Sequence, residues 1–91
     1  LTTLADWLLG NPGARIILVG HTDAVGSLEG NTALSRRRAS SVSDRLTGEL
    51  GANPGQIQAA GAGYLSPRAS NLTEEGRAAN RRVEVVLLSL Q

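Results

Sequence analysis

Residues 15–21, RIILVGH, form a short apolar run rich in β-branched side chains, with turn residues on both sides. A run of that kind fits a central strand of an α/β sheet, buried on both faces. Such a strand needs neighbours at its edges and helices to cover it. Upstream, Leu1, Leu4, Ala5, Leu8 and Leu9 fall at helical spacing, and GNPG (10–13) ends that helix. Downstream, TDAVGSLEGN (22–31) reads as a loop, and a helix follows from about Thr32 to Leu50, closed by Gly51. IQAAGAGY (57–64) reads as a second strand, thinned by glycine where another backbone or side chain comes close. Residues 65–73 are loop, and Thr73 is the expected N-cap of a short helix with Glu74 and Glu75 in its first turn. A last strand is expected over Arg82 to Leu90, with Arg82 and Glu84 outward against Val83 and Val85 inward.

The order α-β-α-β-α-β predicts one sheet with helices on one side. At 91 residues the chain is a single domain, 1–91. Its core must be aliphatic, because Trp7 and Tyr64 are the only aromatic residues. The net charge of +1 argues against a nucleic-acid partner, which needs a strongly basic face. One histidine and no cysteine argue against disulfides and against a transition-metal site. No apolar run reaches the roughly 20 residues that cross a bilayer. The chain opens at Leu1, inside a helix with no strand before it, and reads as a piece of a longer protein whose first strand lies outside it.

The chemistry concentrates between Asp23, at the end of the central strand, and the three arginines 36–38. On a helical wheel with Leu34 at zero, Val42 falls at about 80°, Leu46 at 120°, Ala39 at 140° and Leu50 at 160°. Arg38 sits near 40°, inside that apolar arc, whereas Arg37 near 300° faces solvent and Arg36 near 200° lies just past the edge. An arginine aimed at a core needs a partner, and Asp23 is the natural one. On these residues alone the favoured reading is a structural Asp–Arg clip. The alternative is that both ends are offered to a zwitterion, with Asp23 accepting an ammonium and Arg38 forking onto a carboxylate.

GHTDAVGSLEGNTALSRRRA (20–39) resembles the signature of OmpA-like C-terminal domains, T-D-x-x-G then N-x-x-L-S-x-x-R-A, through Thr22, Asp23, Gly26, Asn31, Leu34, Ser35, Arg38 and Ala39. NLTEEGRAANRRVEVVL (71–87) is similar to the second half of that signature, through Asn71, Thr73, Gly76, Arg77, Asn80, Arg81, Arg82, Val83 and Glu84. The resemblance implies an α/β two-layer sandwich (α+β), with helices packed on one face of a small mixed β-sheet whose first strand precedes Leu1. It implies non-covalent binding of peptidoglycan through the diaminopimelate of the stem peptide, anchoring a membrane protein to the wall. It gives the ammonium-binding role to Asp23 and the carboxylate-binding role to Arg38, with further contacts from Thr22, Asn31, Leu34, Asn80 and Arg81. It implies no cofactor, no enzymatic activity, and a location on the periplasmic side of the bacterial envelope, associated with the outer membrane. Any membrane attachment would come through a segment outside this chain. A missing strand would leave an unpaired edge beside the last strand, open to pairing with a second copy.

Two positions depart from the signature. Gly30 stands where an aromatic residue is common, and Ala24 where a polar one is. Two rivals follow: an OmpA-like protein–protein module that no longer binds the wall, and a small hydrolase using His21, Asp23 and a serine such as Ser35. The hydrolase lacks a nucleophile elbow, and His21 is better read as a hydrogen-bonded strand-end residue. GAGY (61–64) lacks the spacing and the following helix of a nucleotide loop. Arg81 and Arg82 are expected to divide their labour, one facing solvent or the cleft and the other clipping Glu84 or a neighbouring strand.

Overall fold

The computed structural model describes residues 1–90. Helix α1 (Thr2–Gly10) leads to strand β1 (Arg15–His21), helix α2 (Leu28–Asp44) and strand β2 (Ile57–Gly61). Helix α3 (Glu74–Asn80) and strand β3 (Arg82–Ser89) complete the order α-β-α-β-α-β. The sheet order is β2-β1-β3, parallel between β1 and β2 and antiparallel between β1 and β3. This is the small mixed sheet with helices on one face, and β1 is its central strand.

Burial along β1 alternates. Ile16, Leu18 and Gly20 are buried, while Ile17 and Val19 are half-buried. The expectation of a strand covered on both faces is corrected here: helices cover one face only, and the apolar residues of the other face are partly wet. The buried face meets Ala5 and Leu8 of α1, Ala39 of α2, and Leu46, Ala52 and Ile57 to form an aliphatic core. Gln56 ties this core to the turn before β1. Its buried amide donates to the carbonyls of Leu8, Asn11 and Ala14 at 3.2, 2.8 and 3.0 Å.

Helix α2 starts at Leu28, four residues before the expected Thr32. Ser27 caps it, its hydroxyl accepting from the Gly30 amide at 3.0 Å, with Glu29 in the first turn. Its C-terminal end widens into a π turn over Arg45–Glu49, and Gly51 then takes a positive φ of 77°. Strand β2 ends at Gly61 instead of reaching Tyr64.

The face of α2 against the sheet is centred on Ser35, not on the Leu34–Leu50 arc. A methyl group at Gly20 would overlap the Ser35 carbonyl, and one at Gly61 would meet the main chain of Thr32 and Arg36. Two facing glycines thus let the helix backbone sit directly on the strands, and only small side chains fit between. This rolls Arg38 out of the interface: it is exposed.

The last strand departs from expectation. Val85 pairs with Leu18 and shares its face, yet it is 51% exposed. Helix α2 lies over β1 and β2 and barely reaches β3, so Val85, Val86, Leu87 and Leu88 of this edge strand stay about half-exposed. Only Val83 packs against the core.

Candidate functional site

Beyond the C-terminal end of β1, the loop 22–27, the first turns of α2 and the exposed face of α3 enclose a cleft of about 340 Å³. Asp23 lines it. One carboxylate oxygen, Oδ1, accepts from the Val25 amide at 3.1 Å; the other, Oδ2, accepts from Arg81 Nη1 at 2.7 Å. Arg81, foremost, and the Val25 amide hold the Asp23 carboxyl below its ordinary value of 3.8. Arg81 Nη2 also donates to Glu74 Oε1 at 2.7 Å, and Arg77 Nε donates to Glu74 Oε2 at 3.2 Å. Arg81 first, then Arg77, lower the Glu74 carboxyl in turn. Arg77 is held from behind by the Asn71 carbonyl at 3.0 Å.

Arg38 lines the same cleft from α2, but it does not pair with Asp23. Its side chain makes no hydrogen bond or ion pair among the described residues. The expected Asp23–Arg38 clip is therefore replaced by an Asp23–Arg81 pair across the cleft floor, and Arg38 is left open to solvent. The wheel could not show this, because Arg81 lies 58 residues from Asp23 and the roll of α2 depends on the glycines of the sheet.

The other residues of the signature divide into cleft walls and supports. Thr22 is buried. Its amide donates to the Gly63 carbonyl at 2.8 Å and its hydroxyl to the Asp23 carbonyl at 2.9 Å, which fixes the strand end. Asn31 donates to the Val25 and Ser27 carbonyls at 2.8 and 3.0 Å and so braces the loop 22–27 against α2. Leu34 is half-buried in the wall beside Arg38. Asn80 is not part of the cleft. It is fully buried, accepting from the Arg68 and Ala69 amides and donating to the Ala69 carbonyl and to Asn71 Oδ1. Asn71 Oδ1 also accepts from the Ala24 amide at 3.2 Å, so Asn80 steadies the loop 22–27 through one intermediary.

Glu74, expected only as a first-turn acid of α3, and Arg77 both line the cleft. The signal was present: positions 74, 77 and 81 are i, i+3 and i+7, which share one face of a helix. Arg82 turns the other way, its Nε donating to Glu84 Oε1 at 2.6 Å. This is the division of labour expected between the two arginines.

His21 is 4% exposed, and neither ring nitrogen has a hydrogen bond, the Glu84 carboxylate lying 3.5 Å from Nε2. The expected hydrogen-bonded strand-end histidine is thus an unsatisfied one. Burial lowers its pKa from 6.5, Arg82 adds to that, and Glu84 opposes it. His21 also lies on the opposite face of β1 from Gly20 and Ser35. Ser35 Oγ is itself engaged with the Thr32 carbonyl and the Gly63 amide, so no nucleophile–base contact exists. Among the described residues, no cluster of three or more His, Cys, Asp or Glu could hold a metal ion.

Residues 1–81 match the OmpA family. The outer membrane porin F of Pseudomonas aeruginosa is 45% identical over 84 residues, covering 92% of this chain and 24% of that protein. The peptidoglycan-binding protein ArfA of Mycobacterium tuberculosis is 45% identical over 87 residues, covering 96% of this chain and 26% of that protein. The chain therefore spans about a quarter of the length of these relatives. The crystal structure of the peptidoglycan-associated lipoprotein from Burkholderia pseudomallei superimposes with a TM-score of 0.90 at 34% identity, covering 94% of this chain and 72% of that one.

Proposed function

The chain belongs to the OmpA family, and on that premise we propose that it binds peptidoglycan non-covalently through the diaminopimelate of the stem peptide. The observation that carries this reading is the charge arrangement of the cleft: Asp23 and a partnerless Arg38 both line one open space. A zwitterionic amino-acid head group fits such a pair. Asp23 accepts the ammonium, and the Arg38 guanidinium donates two parallel hydrogen bonds to the carboxylate. Thr22, Asn31 and Leu34 shape the space between them. Asn80 acts from behind, through Asn71.

The domain is a binding module without catalytic function, consistent with the porin, binding protein and lipoprotein it is similar to. No helix among the described residues is long and apolar enough to cross a membrane. Binding of this kind would serve to anchor an envelope protein to the wall from the periplasmic side of the outer membrane. Two charge-assisted contacts in an open cleft give modest affinity for one stem, and many stems on one polymer raise it by avidity.

Co-sedimentation with purified peptidoglycan tests the site. Asp23→Ala and Arg38→Ala are each expected to lower the bound fraction by about tenfold, the usual scale for removing one charged partner of a ligand. Retention equal to wild type in both variants would dismiss this cleft. Failure of the wild type itself to sediment would favour an OmpA-like protein–protein module.

A further inference from the structure

In the free cleft the Asp23 carboxylate is already occupied. Its Oδ1 is committed to the Val25 amide, so Oδ2 is the oxygen a ligand can reach, and Arg81 holds it at 2.7 Å. The same guanidinium reaches Glu74 Oε1 at 2.7 Å with its other nitrogen. We propose that Arg81 stands in for the ligand's ammonium on Asp23, and that Glu74 retains Arg81 when the ammonium displaces it, which makes Glu74 a determinant of affinity and of preference for zwitterions. This rests on the reading of Asp23 as the ammonium acceptor.

Three features support the exchange. First, Arg81 need not become unpaired: its bridge to Glu74 is as short as its bridge to Asp23, and its side chain is 37% exposed. Second, Glu74 is held in place. Its second oxygen accepts from Arg77, and Arg77 is anchored to the Asn71 carbonyl, so the receiving carboxylate does not follow Arg81 into the cleft. Third, the charges around the cleft are two acids, Asp23 and Glu74, against three guanidinium groups, Arg38, Arg77 and Arg81. Without Glu74 one acid would face three cations, a field that repels an arriving ammonium and favours a plain dianion.

Calorimetric titration of the 91-residue chain with meso-diaminopimelic acid, and with pimelic acid as the analogue lacking ammonium groups, reads the exchange. Arg81→Gln removes the internal competitor and should tighten diaminopimelate binding about fivefold, the scale of a partly exposed ion pair. Glu74→Gln should weaken it by a similar factor and narrow the preference over pimelate. In the Arg81→Gln background, Glu74→Gln should lose most of its effect on diaminopimelate affinity, because the group it retains is gone. The Asp23 carboxyl, followed by NMR, should titrate at higher pH in Arg81→Gln than in wild type, which checks that the pair is closed in the free protein, while the gain in affinity is the readout that a purely structural pair would not give. Weaker binding by Arg81→Gln would overturn the proposal and make Arg81 a direct ligand contact. Unchanged affinity in Glu74→Gln would overturn it as well, and that variant decides alone should Arg81→Gln unfold. Wild-type affinity in Asp23→Asn would remove the underlying reading of the cleft, and the exchange with it.

Discussion

At the end of β1, beside the cleft residue Thr22, His21 is a buried imidazole with no hydrogen bond to either nitrogen, lying next to Arg82 and 3.5 Å from the Glu84 carboxylate. Its folded pKa lies below the unfolded 6.5, so the unfolded chain takes up the proton more readily. Stability from this residue is complete above pH 6.5 and declines as the pH falls below it, until the folded imidazole also protonates. Asp23 and Glu84, with carboxyls lowered from 3.8 and 4.5, remain charged through that window and weaken the fold only in stronger acid. Thermal melts of the wild type should therefore lose stability on acidification from pH 7 to 5.5, and His21→Leu should flatten that slope. An equal slope in the variant would assign it to other groups. At this scale the sequence placed Asp23 and Arg38 around one space. It could not name Arg81 as the partner of Asp23, because a wheel sees only its own helix and that contact closes across the whole chain.

The elements follow from local chemistry where the signals are strong. Strand β1 begins and ends where its β-branched run does, and α3 starts where Thr73 caps the Gly76 amide at 3.0 Å. Thr73→Ala should cost about 1 kcal/mol in urea denaturation. It should also loosen the Glu74–Arg81 bridge, since Glu74 opens the seven-residue α3 and Arg81 directly follows it. Helix α2 was less legible at its start. Gly26 and Gly30 suggested a loop, whereas Ser27 supplies the cap and Glu29 the favourable first-turn charge. Its roll was hidden for another reason: the contact surface of a helix is set partly by what the facing strands lack. Gly20→Ala would drive a methyl group into the Ser35 carbonyl, a main-chain atom with little room to yield. Overpacking of this sort costs about 1–3 kcal/mol, and the cost should appear as a lower midpoint with an unchanged slope.

The molecule as a whole is elongated, 41 × 22 × 20 Å, with its aliphatic core between α1, α2 and the β1–β2 half of the sheet. Leu18→Ala, in the centre of that core, should destabilise by about 2–5 kcal/mol. Strand β3 lies outside this protection, and its apolar stretch, Val85 to Leu88, has no lysine or proline to discourage edge pairing. Concentration-dependent self-association in sedimentation velocity should fall when Val86 and Leu88 are changed to lysine, and no change would show the edge inert. Which strand lies outermost was a property of the assembled sheet, so the alternation within β3 misled about Val85. The bare contact of Gly20 with the Ser35 main chain has one more effect. Asp23 lies three residues beyond the first of these and Arg38 three beyond the second, so the gap between the two jaws is calibrated by backbone, with no intervening side chain to act as a hinge. Heating the protein should then erase recognition and tertiary structure in one step, with no warmed intermediate that is still folded but has forgotten its ligand.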